Sequence, residues 1–288
     1  MIRLVRFFVL FHYGLAILRG IILMNRLMSV DEQRNVMLCM LDEIKRFCLD
    51  KDITWSLAYG SLLGAVRHEG FIPWDDDVDI WMERNDYERF LEEYKSDRYS
   101  ILNYRNGEAV CSFSKIVDNT TYLFEDGVNV SQPKMGVFVD IFPLDVVETT
   151  TGKHIDSKRF SYTTILMNSK FKKLGYCNSL SRNLILPVLK LIALPFNYRK
   201  TLEKMEKRAS ALCNEIPASV SLLLDLDSVI IPYKYISEVK MICFEGHEYP
   251  AYWAIDEILT LLYGDYMQLP PEDKRVTHRI TSYFRNLE

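Results

Sequence analysis

Several local signatures that would settle a function at once are missing from this 288-residue chain. It has no C-x-x-C pair, and its six cysteines (Cys39, Cys48, Cys111, Cys177, Cys213 and Cys243) are scattered. In a chain this long, that spacing argues for reduced thiols facing the cytosol and against a disulfide framework. The five histidines are equally dispersed, which argues against a zinc site built from sequence neighbours. No P-loop and no dinucleotide-binding glycine fingerprint occurs. Excess positive charge is missing too: the formal net charge is −4, so no overall basic field draws the protein onto nucleic acid. Internal repeats and low-complexity linkers are absent. What remains is an ordinary globular composition, 49% hydrophobic and 26% charged, long enough for one large domain or two modest ones.

A membrane-spanning run is also lacking where one would look first. Residues 1–28 are rich in apolar side chains and contain no acidic residue, but Arg3, Arg6, His12, Arg19 and Arg26 interrupt every window of about 20 residues that a span needs. A signal peptide fits no better, because Arg19-Gly20 follows Leu18 where a small-x-small cleavage site would be expected. His12, Arg19 and Arg26 recur every seven residues and so share one helix stripe. We read 1–28 as a helix lying in the membrane interface, with arginine heads toward anionic lipid; the alternative is a helix packed in the core. A second apolar run, Leu184–Phe196, is interrupted by Pro187, Lys190 and Pro195 and flanked by Arg182, Arg199 and Lys200. It reads either as a core helix or as a second membrane contact. Together these place the protein in the cytoplasm at the inner face of the membrane.

The most informative stretch that is present runs from Tyr59 to Ile80: YGSLLGAVRHEGFIPWDDDVDI. Gly60-Ser61 can open a helix, whose first N–H groups lack intrahelical partners and attract phosphate. Asp77 and Asp79 are two apart on an extended segment, so both carboxylates project from one face while Val78 and Ile80 point into a core. Asp75 and Asp76 could be no more than a solvated acidic turn. An EF-hand loop from Asp75 fails, because its sixth and twelfth positions hold Ile80 and Asp86 rather than Gly and Glu. His68-Glu69 is not a zinc-protease pair, since Ile72 stands four residues after His68. A phosphate cradle beside paired carboxylates suits a Mg²⁺-bound nucleotide, which points to phosphoryl-group transfer. Gly60 and Ser61 would hold phosphate oxygens, with Arg67 one helical face away. Asp140, an acid among β-branched and aromatic neighbours, must be paired or metal-bound; it would complete the metal shell or accept a proton from an attacking hydroxyl. Lys115 could add positive charge.

Around this stretch the pattern predicts an α+β fold. Ser29 and Glu32 form a capping box for a helix over 29–51, with an apolar stripe of Val36, Met37, Met40, Leu41, Ile44 and Phe47. Strands are predicted at Ile53–Ala58, Val78–Met82, near Tyr99–Tyr104, Val110–Val117 and Thr121–Phe124, and at Gly136–Pro143. Short helices are predicted over 61–68 and Arg84–Lys95. The second half reads as mainly helical, with a late hairpin of Val239–Phe244 and Glu248–Tyr252 and a helix at Trp253–Tyr263. The organisation expected is 1–28 as the membrane-surface helix, 29–150 as the catalytic core, and 151–288 completing the same domain.

The Gly60–Ile80 stretch resembles the signature of the LicD family, which includes fukutin and fukutin-related protein. Gly136–Asp145 (GVFVDIFPLD), Phe244-Glu245-Gly246, and Tyr263–Arg275 with His278 are also similar to it. The likeness spans roughly Val30 to His278. Departures are small: Gly60-Ser61-Leu62-Leu63-Gly64 carries an extra leucine, and Gly-Ser stands where many relatives have Gly-Gly or Gly-Thr. The resemblance implies a nucleotidyltransferase-like mixed sheet with surrounding helices. It implies Mg²⁺ (or Mn²⁺) on Asp77, Asp79 and Asp140 as the catalytic acids, with Gly60, Ser61, Arg67, Lys115 and His278 binding substrate. It implies a CDP-activated alcohol as donor, phosphocholine foremost, and a cell-surface or lipid-linked glycan as acceptor, as in lipopolysaccharide or teichoic acid modification. Ribitol or glycerol phosphate, nucleotidyl transfer with pyrophosphate release, and a non-catalytic membrane adaptor are the alternatives.

Overall fold

Ser29 opens the first long helix as its spacing predicts. The computed structural model describes residues 26–107, 111–128, 132–175, 180–224, 229–272, 275 and 280–286. Helix α1 (Val30–Lys51) has a complete capping box: Ser29 Oγ accepts from the Glu32 N–H, and the Glu32 carboxylate accepts from the Ser29 N–H at 2.9 Å. Its stripe of Val36, Met37, Met40, Leu41 and Ile44 is buried, with Phe47 half-buried. Phe47 packs edge-on against Phe90 and Tyr94.

The chain then enters β2 (Ser56–Leu57), α2 (Tyr59–His68), β3 (Asp79–Glu83), α3 (Arg84–Glu93), β4 (Tyr99–Leu102), β5 (Ser114–Asp118), β6 (Thr121–Glu125) and β7 (Phe138–Thr149). Five of these strands form a mixed sheet in the order β2-β3-β7-β5-β4. Only the β3–β7 pair is parallel along this path. β7 lies between β3 and β5 over its first half, and its side chains are buried almost throughout, so its neighbours cover it on every side. Val78 and Ile80 are fully buried, as alternation around the aspartates predicts, and Trp81 on the opposite face is fully buried as well.

The second half supplies helices α4 (Ser157–Ser169), α5 (Leu180–Ala193), α6 (Tyr198–Ala209) and α7 (Ile255–Tyr263). It also supplies strands that periodicity did not reveal. β8 (Pro217–Ser221) pairs with the far end of β7, and β9 (Ile231–Pro232) pairs with β8. The predicted hairpin is present as β10 (Val239–Phe244) and β11 (His247–Tyr252). β12 (Ile280–Phe284) joins β6, and on its other edge β1 (Arg26–Leu27). The architecture is α+β.

The N-terminal expectation needs correcting where the structure describes it. Residues 26–28 are extended, not the end of a helix: Arg26 pairs with Glu32 at 2.8 Å and lies 4.3 Å over the Phe284 ring. Arg26, an exposed side chain, is thus engaged by Glu32 and the Phe284 ring rather than standing on a helix stripe. The rest of the predicted N-terminal helix, residues 1–25, lies outside the described residues. α5 is not a core helix either, since among its described side chains only Leu186 is buried together with Ala193 at its end.

A buried ion network ties α6 to the sheet. The Arg84 guanidinium donates to both oxygens of Asp145 on β7 (2.7 and 3.0 Å) and to Glu206 on α6 (3.1 Å). Arg105 bridges Glu88 and Glu206, and the Tyr104 hydroxyl also donates to Glu206. A fork of donors against a carboxylate satisfies both partners, which matters because Arg84 and Asp145 have almost no access to water. Replacing Arg84 with Met should lower unfolding free energy in urea by about 3–5 kcal/mol, because Asp145 is left buried without its cation. The double variant Arg84→Met/Asp145→Leu should recover part of that loss. A single variant as stable as the parent would show that the network holds nothing.

Candidate active site

Sheet register brings the chemistry together. Asp79 on β3 stands opposite Asp140 on β7, and Lys115 on β5 stands opposite Asp140 from the other side. Three adjacent strands thus place acid, acid and lysine in one row. Asp77, two residues before β3 and on the same face as Asp79, joins them: carboxylate oxygens of Asp77, Asp79 and Asp140 lie within 4.8 Å of one another. Lys115 Nζ donates to both Asp140 oxygens at 2.5 and 2.8 Å. The pairing required of an acid in that setting is therefore supplied by lysine.

The electrostatics follow from this crowding. Burial first, then the charges of Asp140 and Asp76, push the Asp77 carboxyl up to about 7. Burial first, then the charges of Asp77, Asp140 and Asp75, push Asp79 well above the usual carboxylate range. Burial works against the Lys115 ammonium, but Asp140 outweighs it and the net shift is upward. Three hard oxygen donors set with one cation make a place for a divalent metal ion of the Mg²⁺ or Mn²⁺ kind, which prefers carboxylate ligands.

The loop that carries the acids is braced from outside. Arg34 on α1 donates to the carbonyls of Ile72, Pro73 and Asp75 at 3.1–3.3 Å. Gln33 donates to the Asp76 carbonyl at 2.8 Å and accepts from Ser282 of β12. Glu245, in the β10–β11 turn, accepts from the Phe71 N–H at 2.9 Å and lies so close to Gly70 that a Cβ there would sit 2.1 Å from its Oε1. The Phe244-Glu245-Gly246 stretch thus serves the acidic loop from the far end of the sequence.

Asp77, Asp79, Asp140 and Lys115 all line one cavity of about 380 Å³. The other site residues expected from sequence are placed differently. Ser61 Oγ accepts from the Asp79 N–H at 2.9 Å, which fixes the start of β3. A Cβ at Gly60 would meet Asp75 Oδ2 at 2.4 Å, so the opening turn of α2 already faces a carboxylate of the chain itself. Arg67 donates to the Tyr266 carbonyl at 2.9 Å and to His68, tying α2 to the loop after α7. Gly60, Ser61 and Arg67 lie outside the cavity wall. His278 lies outside the described residues.

The cavity contains groups that sequence reasoning passed over. Tyr59, Phe113, Phe138, Phe142 and Phe171 give it an aromatic side, and Glu125, Gln132, Asn168 and Lys172 add polar groups. The signal for two of them was available: Phe138, Asp140 and Phe142 alternate along β7 and so share a face. Phe113 stands likewise two residues before Lys115. Tyr59 had no such signal. Its backbone lies in the left-handed region (φ 42°), unusual for an aromatic residue, and its ring packs edge-on against Trp81 and Phe142. Asn168 Oδ1 is buried in the wall with no hydrogen-bond partner among the described residues.

Residues 52–184 match the family described as LicD/FKTN/FKRP, nucleotidyltransferase domain. The chain is 29% identical over 269 residues to the lipopolysaccharide cholinephosphotransferase LicD of Haemophilus influenzae, covering 88% of this chain and 97% of that one. A shorter stretch of 53 residues is 42% identical to an uncharacterized protein of Rickettsia typhi, covering 17% of each chain.

The raised Asp77 carboxyl links stability to pH and metal. Between its ordinary 3.8 and its folded value of about 7, the native state holds a proton that the unfolded chain has released. Raising pH through that window should therefore lower the thermal midpoint of the metal-free protein. Added Mn²⁺ should restore it at pH 8 and do little at pH 5, where Asp77 and Asp79 hold their protons. A midpoint indifferent to Mn²⁺ at both pH values would rule out a metal on these carboxylates.

Proposed function

From the match of residues 52–184 to the LicD family, we propose that this chain transfers phosphocholine from CDP-choline to a glycan hydroxyl, with CMP leaving. The observation that carries this reading is the register setting Asp79, Asp140 and Lys115 abreast beside Asp77 in one cavity. A reaction of this kind is mostly positioning and charge neutralisation, and these four side chains supply both.

The acceptor oxygen forms a bond to the phosphorus that bears the alcohol, and the bond from that phosphorus to the CMP oxygen breaks, its electron pair leaving with CMP. A divalent cation on Asp77, Asp79 and Asp140 would neutralise the phosphate oxygens. Lys115 adds a cationic side chain beside the acid trio. It already holds both oxygens of Asp140, which suits Asp140 to a holding role better than to proton acceptance. The hydroxyl hydrogen would pass to a carboxylate oxygen of the trio not engaged by the cation. The aromatic side of the cavity favours choline over ribitol or glycerol, because a quaternary ammonium is attracted to ring faces while a polyol requires hydrogen-bonding walls.

A lipid-linked glycan would place the acceptor at a membrane. No helix among the described residues is long and apolar enough to cross one. We therefore put the contact at the membrane surface, through residues within 1–28 and 184–196, on the cytoplasmic side.

The test is product identification. Purified protein with Mg²⁺ and a glycolipid acceptor should release CMP from CDP-choline, and less from CDP-ribitol or CDP-glycerol. Asp77→Asn should reduce that rate by about 100-fold or more. Pyrophosphate release from a nucleoside triphosphate would move the protein to nucleotidyl transfer, and undiminished CMP release by Asp77→Asn would overturn the assignment of the acids.

A further inference from the structure

The face of α5 turned away from the protein is apolar. Leu184, Ile185, Val188, Leu191 and Ile192 follow the spacing of one helix face, and each is between 51% and 77% exposed. Leu194 and Phe196 extend the row past the helix end, both exposed. The row is held rigidly from below. Lys170 Nζ donates to the carbonyls of Ala193 (2.7 Å) and Phe196 (2.9 Å), and Lys190 Nζ donates to the Lys170 carbonyl (3.0 Å). Scattered exposed leucines are commonplace; a fixed contiguous row is a contact surface.

Charge identifies what it contacts. Between Asp156 and Glu203 the chain has no acidic residue, and it carries nine lysines and arginines there, in a protein whose net charge is −4. Of these, Lys170 and Lys190 are engaged as described, and Arg199 pairs with Glu203 at 3.1 Å. At the end of the apolar row a second cavity, about 300 Å³, is lined by Arg159, Phe160, Phe196, Lys204, Met205 and Arg208, with two threonines. Arg159, Lys204 and Arg208 make no ion pair among the described residues. Phe196 belongs both to this cavity and to the apolar row, so the cationic seat and the apolar face are continuous. A two-fold contact between copies of this chain would set basic stretch against basic stretch, which disfavours a second protomer as the occupant.

We propose that α5 and the cationic cavity at its end form a docking surface for an anionic phospholipid membrane. The apolar row enters the boundary between headgroups and acyl chains, and a lipid phosphate sits among Arg159, Lys204 and Arg208. This surface stands independently of the phosphotransfer chemistry. It also lies next to it in the chain: Asn168 in the last turn of α4, and Phe171 and Lys172 between α4 and α5, line the cavity that holds the acid trio.

Co-sedimentation of the full chain with vesicles tests this without any donor or acceptor. Binding is expected to phosphatidylcholine vesicles containing phosphatidylglycerol, weaker binding to phosphatidylcholine alone, and loss as salt rises. Val188→Glu/Leu191→Glu should cut binding by about tenfold or more, with circular dichroism unchanged because both side chains are exposed. Arg159→Ala and Arg208→Ala should each cost roughly fivefold. Absence of vesicle binding, or binding undiminished in the glutamate variant, would overturn the proposal. So would a dimer of the parent chain that the glutamate variant dissociates, which would give the face to a second copy. Thermal stabilisation by inorganic phosphate without vesicle binding would reduce the cavity to a soluble-anion site and equally overturn it.

Discussion

Three carboxylates drawn within 4.8 Å of one another in a protein interior repel each other and lose their hydration. Nothing local favours that arrangement, so the surrounding structure must impose it. The sheet does so by register: β3 and β7 run parallel with Asp79 abreast of Asp140, and β5 delivers Lys115 to Asp140 from the opposite flank. A slip of one residue in either pairing would turn one member of the row to the other face and bury a charge among Val78, Ile80 and Ile141. The hydrophobic alternation that builds the core is therefore the same device that fixes the acids.

Asp77 lies outside β3, and there register gives way to side-chain bracing. The carbonyls of Ile72, Pro73, Asp75 and Asp76 are all held by Arg34 and Gln33 of α1, and Glu245 fixes the chain at Phe71. A loop whose side chains repel needs its backbone tied to elements that do not share the repulsion. α1 and the β10–β11 turn meet that need because hydrophobic burial anchors them independently. The Arg84 network plays a related part further along β7, joining Asp145 to α6, whose Tyr198 packs edge-on against Phe171 of the cavity wall.

The sequence was legible where periodicity and chemistry agreed. The capping box at Ser29, the strand alternation around Asp77–Ile80, the hairpin at residues 239–252 and the need of Asp140 for a partner could all be read one segment at a time. β8 and β12 could not. Each is short and carries polar residues such as Ser219, Ser221, Thr281 and Ser282, and each is strand only because β7 or β6 offers an edge. The partners of Gly60, Ser61 and Arg67 were hidden for a similar reason, because they come from distant segments: Asp75 faces Gly60, the Asp79 N–H donates to Ser61, and the Tyr266 carbonyl accepts from Arg67. The family likeness covered these positions without distinguishing residues that touch substrate from residues that hold the acids in place.

The strained Tyr59 shows where those two tasks meet. Its left-handed backbone is unfavourable for a residue with a side chain, and it stands between β2, which pairs with β3, and the first turn of α2. The Ala58 N–H donates to the Asp79 carbonyl and Ser61 Oγ accepts from the Asp79 N–H, so the chain on both sides of Tyr59 is committed to positioning one acid. With both flanks fixed, the turn between them has little choice of conformation, and the ring is directed against the buried Trp81 and against Phe142 of the cavity wall. The strain is thus a consequence of holding Asp79 at the required place, and the aromatic surface offered to a ligand comes with it.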